Sequence, residues 1–66
     1  MEYRVKMAAA RVNAGLTQED VAKQMKVSKN TIVNWETGKI EPKPAQFYMY
    51  CEICEAPPEV VDFVKA

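Results

Sequence analysis

The side chains of this 66-residue chain best suited to recognition chemistry cluster in one short stretch. Asn30, Asn34 and Thr37 recur at i, i+4 and i+7, with Lys29 and Val33 beside them, so on a helix they form one continuous strip. An asparagine amide offers a donor and an acceptor together, which matches an adenine edge. A lysine can donate to the guanine acceptors of the major groove, where each base pair has its own pattern. Ser28 and Thr31 could support such contacts, and Val33 could either touch a thymine methyl or lie at the margin of the core. Catalytic chemistry lacks its parts: there is no histidine, no activated-nucleophile motif and no phosphate-cradling glycine loop, so no enzyme is expected. Cys51-Glu52-Ile53-Cys54 is a C-x-x-C pattern. With no second cysteine pair, and with both thiols in an apolar helical stripe, it reads as two small hydrophobes; no metal, cofactor or small-molecule ligand is inferred.

Two short helices joined by a tight bend, spanning Thr17 to Gly38, must position that strip. Thr17 can cap the first, with Asp20 near the positive end of its dipole. Val21, Ala22 and Met25 share one face. Lys26 and Val27 break the period, Ser28 offers the next cap, and Ile32 and Trp35 turn an apolar stripe inward, which places Trp35 in the core. Gly38 is expected to terminate the second helix, as Gly15 terminates an earlier one.

On Arg11, the run Gly15-Leu16-Thr17-Gln18, Ala22, Val27-Ser28, Ile32, Trp35-Glu36, Gly38-Lys39 and Pro42, the chain resembles the phage-repressor and Cro-like helix-turn-helix family, often called the XRE family. The resemblance covers roughly Met7 to Cys54. It implies an all-α, lambda-repressor-like compact bundle of four to five short helices and, as partner, double-stranded DNA. Within it Arg11 is expected to pair with Glu36, tying the first helix to the end of the third; a phosphate contact from Arg11 is the alternative. Gln18, at a helix N-terminus, suits a DNA phosphate. Lys26 departs from the family, which usually has glycine at this bend, so an altered turn would weaken the expectations for Lys29 and Asn30. Lys39 and Lys43 flank the reading helix and suit phosphates, with Glu41 between them opposing that role.

The remaining elements frame this unit. Tyr3 to Ala14 reads as the first helix, burying Tyr3, Met7, Ala10 and Ala14. Ile40 is expected to pack inward from a proline-stiffened loop, and helix is forbidden until after Pro44. Ala45 to Glu55 reads as a fourth helix with Phe47, Tyr50, Cys51 and Cys54 on one stripe, widened by Tyr48, Met49 and Ile53. After Pro57-Pro58 a further helix carries Val60, Val61, Phe63 and Val64. The apolar C-terminal region, residues 45–64, either closes this chain's own core or pairs two copies. The family implies a homodimer on a near-palindromic operator, a small phage or mobile-element repressor.

Length allows a single domain, residues 1–66. Nothing approaches a membrane span or a secretory signal, which favours the cytoplasm. Nine basic and nine acidic residues cancel, but unevenly. Through Lys43 there are eight basic against five acidic, a net +3, and from Pro44 onward one against four, a net −3. The basic part could face a polyanion. Zero net charge and the wide apolar face also fit another function, a dimerising or toxin-binding interaction module on the same scaffold.

Overall fold

In the computed structural model, which describes residues 4–62, four helices carry the fold: α1 (Met7–Asn13), α2 (Gln18–Met25), α3 (Lys29–Glu36) and α4 (Pro44–Ile53). Local sequence sets their starts. The Thr17 hydroxyl accepts the Asp20 N–H at 3.0 Å while the Asp20 carboxylate accepts the Thr17 N–H at 2.9 Å, a reciprocal capping box for α2. Those same bonds hold the Asp20 carboxyl below its usual range. Ser28 Oγ accepts the Thr31 N–H at 3.2 Å and opens α3. Pro44 takes the first position of α4, where its missing N–H costs nothing, and Gln46 Oε1 accepts the Lys43 N–H at 2.9 Å.

All four helices stop in the same way. A left-handed residue follows each, namely Gly15 (φ 76°), Lys26 (φ 60°), Gly38 (φ 82°) and Glu55 (φ 55°). The next N–H reaches back five residues: Leu16 to the Arg11 carbonyl (3.2 Å), Val27 to Ala22 (3.0 Å), Lys39 to Asn34 (2.9 Å) and Ala56 to Cys51 (3.0 Å). This closure satisfies carbonyls that the helix ends would otherwise leave open. At Lys26 the side chain departs from glycine but the backbone does not, so the bend keeps its left-handed form.

The helices enclose one core of Met7, Ala10, Val21, Ala22, Ile32, Trp35, Tyr50, Cys51, Cys54 and Val61. Trp35 is 2% exposed, which places it under the helices and away from base stacking.

Several elements differ from the sequence reading. The first helix begins at Met7 instead of Tyr3, which lies outside the described residues. Val5–Lys6 is instead a short strand, β1, paired in parallel with β2 (Val61–Asp62) in the register Val5 to Val61 and Lys6 to Asp62. Ladder hydrogen bonds, burial of Val61 and a grip of the Arg4 guanidinium on the Asp62 carboxylate together override helix propensity there. The C-terminal helix expected after Pro57 is one 3-10 turn, Pro58–Val60, leading into β2; Phe63 and Val64 lie outside the described residues. The fourth helix starts at Pro44, one residue early, and ends at Ile53 instead of Glu55. Ala14 is exposed, because α1 closes just before it. Ile40 is 53% exposed, and Pro42 is the buried residue of that loop.

Candidate nucleic-acid interface

Successive residues of an α-helix are turned by about 100°, so the buried pair Ile32 and Trp35 fixes which way the rest of α3 points. Lys29, Asn30, Val33, Asn34 and Thr37 fall on the opposite side as one strip. Lys29, Asn30 and Thr37 are exposed, while Val33 and Asn34 are half-buried. Lys29 is the first residue of α3, where the dipole's positive end disfavours a cation. An anion brought to that corner would relieve both. Thr37 caps the other end, its hydroxyl donating to the Val33 carbonyl at 2.9 Å, which leaves its oxygen to accept from a ligand.

Ser28 and Thr31 do less outward work than their types suggest. Their hydroxyls lie 2.9 Å apart, and Ser28 also caps the helix, so both are largely committed to shaping the N-terminus of α3. Gln18 is committed too: its amide nitrogen donates to Glu36 Oε1 at 3.0 Å. Glu19 and Asp20 already occupy the positive end of the α2 dipole, which makes this a poorer phosphate seat than the helix terminus alone implies. Lys39 and Lys43 are exposed on the loop that follows α3, as is Glu41.

A single carboxylate ties α3 to the other three helices. Glu36, in the last turn of α3, has a side chain only 4% exposed. It accepts from Arg11 Nε (2.7 Å) and Nη2 (3.2 Å) on α1, from Gln18 Nε2 (3.0 Å) on α2 and from the Tyr50 hydroxyl (2.6 Å) on α4. Every other helix therefore supplies a donor to it. Arg11 Nη1 also donates to the Leu16 carbonyl at 2.9 Å, so the guanidinium spends its fork inside the protein and has little left for a phosphate. The Tyr50 hydroxyl sits between Glu36 and the Met7 carbonyl, 2.8 Å away, and its one proton serves both. Burial alone would raise the Glu36 pKa, but the hydrogen bonds from Arg11, Tyr50 and Gln18 outweigh it and the carboxyl lies below its usual range. The same contacts raise Arg11 further, the Glu36 hydrogen bond first, and burial with the nearby carboxylate pushes the Tyr50 phenol far up. All three keep their ordinary neutral-pH charge states.

Sequence reasoning places Tyr50 in the apolar stripe and does not foresee its hydroxyl in this cluster. Fourteen residues from Glu36 and on another helix, it leaves no periodic signal. Cys51 and Cys54 are free and buried. Burial raises both thiols, Cys54 to about 11, so neither is an activated thiolate. On the outer side of α4, Tyr48 (60% exposed) and Met49 (45%) face away from the core. No helix among the described residues is long and apolar enough to cross a membrane.

A family model described as helix-turn-helix matches residues 7–61. The chain is also 43% identical over 42 residues to the HTH-type transcriptional activator BcrR of Enterococcus faecalis, a match covering 64% of this chain and 21% of that protein. The chain thus spans only a fraction of that relative's length. No solved structure gives a significant match.

Proposed function

Since the chain belongs to the helix-turn-helix family, we propose that it is a DNA-binding transcriptional regulator that inserts α3 into the major groove. The observation that carries this is the two-sidedness of α3: Ile32 and Trp35 are buried, while Lys29, Asn30 and Asn34 form a polar edge opposite them. In the groove, Asn30 and Asn34 would each span the donor and acceptor of an adenine, and Lys29 would donate to guanine, each pairing worth about 1–3 kcal/mol of discrimination. Gln18, Lys39 and Lys43 would position the domain on phosphates, Ser28 and Thr31 would shape the entry of α3, and Thr37 would accept from its far end. The clamp at Glu36 makes the edge rigid before DNA arrives, which lowers the ordering cost of binding.

The working unit is a homodimer on a near-palindromic operator, its two reading helices about one DNA turn, ~34 Å, apart. The exposed Tyr48 and Met49 on α4, with half-buried Phe47 beside them, motivate a self-complementary contact there. Occupancy of an operator overlapping a promoter represses by excluding polymerase. The similar protein bears the name of an activator, and in this scheme the sign of regulation follows from where the operator lies. The test is selection of bound duplexes from a random pool. The proposal expects an enriched two-fold motif whose central preferences relax in Asn30→Ala and Asn34→Ala; a pool with no enrichment contradicts it.

A second reading, a protein-interaction module, is favoured by the same Tyr48 and Met49 surface and by the zero net charge. It predicts DNA affinity with almost no salt dependence, whereas phosphate neutralisation must release counterions.

A further inference from the structure

Two of the four left-handed helix closures use glycine and two do not; the one that leads into α3 carries Lys26. A side chain kept where the backbone favours its absence points to a use for that side chain. Lys26 is exposed, and so are Lys23, in the last turn of α2, and Lys29, the first residue of α3. The three step every third residue over the corner where α2 turns into α3, beside the N-terminal end of the reading edge. None of them belongs to an ion pair among the described residues, and the nearest opposing influence is that of Lys23 on the Asp20 carboxylate. The left-handed glutamate, Glu55, closes α4 in the acidic half of the chain, so the charge at this bend is not a generic feature of such closures.

We propose that Lys26 is a phosphate-contacting residue which, with Lys23, forms a basic ridge that grips one DNA strand next to the α3 N-terminus, where Lys29 begins the reading edge. This rests on the DNA-binding reading above and adds a residue to it: the ridge fixes register on the backbone while Asn30 and Asn34 read bases. A lysine here supplies a positive charge that a glycine cannot, and its flexible stem lets it follow a phosphate without altering the bend.

The experiment is a salt titration of affinity for a 30-base-pair duplex of random sequence, using wild type, Lys26→Gly, Lys26→Asn, Lys26→Arg and, as an equal charge change in β1, Lys6→Gln. Loss of one phosphate contact is expected to reduce the slope of log K against log salt by about 0.9 and to weaken binding roughly 5–10-fold at 0.1 M salt. Lys26→Gly and Lys26→Asn should show this with no loss of thermal stability, because both residues tolerate the left-handed backbone. Lys26→Arg should keep the wild-type slope, and so should Lys6→Gln. If Lys26→Gly matches a salt-dependent wild type, or Lys6→Gln loses as much as Lys26→Gly, the ridge assignment is wrong while DNA binding stands. A wild-type slope near zero overturns the DNA-binding reading and the ridge with it.

Discussion

Replacing Glu36 by glutamine changes almost no volume but removes the charge on which all four helices converge. Of the four donor contacts the carboxylate now accepts, from Arg11, Gln18 and Tyr50, an amide can keep those to its one oxygen. Its NH₂ must face a neighbour that is itself a donor. Arg11, with a side chain 13% exposed, is then left charged and uncompensated. Breaking a buried pair from one side typically costs about 3–5 kcal/mol. A domain of this length is worth roughly 3–10 kcal/mol in total at about 0.05–0.15 kcal/mol per residue, so Glu36→Gln should remove about 30% of the stability at the least. Urea unfolding followed by far-ultraviolet circular dichroism at pH 7 measures it. The acid limb gives an independent sign. The folded Glu36 pKa is depressed, so its stabilisation is fully present above the unfolded carboxylate pKa and is lost as pH falls through the lower folded value. The variant should therefore lose less stability than wild type between pH 5 and the acid end. A loss under about 1 kcal/mol, with an unchanged acid limb, would refute the claim that this carboxylate ties α3 to the other helices.

Further outcomes follow from the same geometry. Tyr50→Phe removes one donor to a charged acceptor and should cost about 2 kcal/mol, and in a double-mutant cycle with Glu36→Gln the two losses should fall well short of adding; full additivity would mean the hydroxyl acts on Met7 alone. Glu55→Gly relieves a left-handed backbone at the end of α4 and should stabilise by about 1 kcal/mol, raising Tm by about 4–8 °C, as scanning calorimetry would show. Asn34→Ala should leave the urea midpoint within experimental error yet weaken binding to the selected operator about 10–100-fold while sparing random duplex, read by fluorescence anisotropy. Cys51 and Cys54, buried and with raised thiol pKa values, should react with a thiol reagent only as fast as the protein opens, so destabilising variants should react faster in proportion.

Much of the recognition unit was legible in the sequence because its signals are local. Thr17 with Asp20, and Ser28 with Thr31, are caps within one helical turn, and Val21, Ala22, Ile32 and Trp35 carry the inward face by spacing alone. The errors lie where distant contacts decide. Residues 4–6 have ordinary helix propensity, and nothing nearby in sequence reveals that Val5 pairs with Val61. The run after Pro58 is apolar enough for a helix but is drawn into that same two-residue ladder. Ile40 reads as core by type, yet it is exposed and Pro42 is the buried residue of its loop. In the cluster at Glu36 the partner Arg11 came with the family resemblance, whereas Gln18 and Tyr50 became visible only once four helices had been brought together. Gln18, expected on a phosphate, also donates its amide nitrogen to the carboxylate behind the reading helix.

The most direct test of the account is a titration of isotope-labelled protein with a selected duplex, following backbone and asparagine side-chain amide resonances. The account predicts that the largest shifts fall on Lys29, Asn30, Val33 and Asn34, with the Asn30 and Asn34 side-chain amides among them. Shifts concentrated on Phe47, Tyr48 and Met49, with the α3 side-chain amides unmoved, would contradict it.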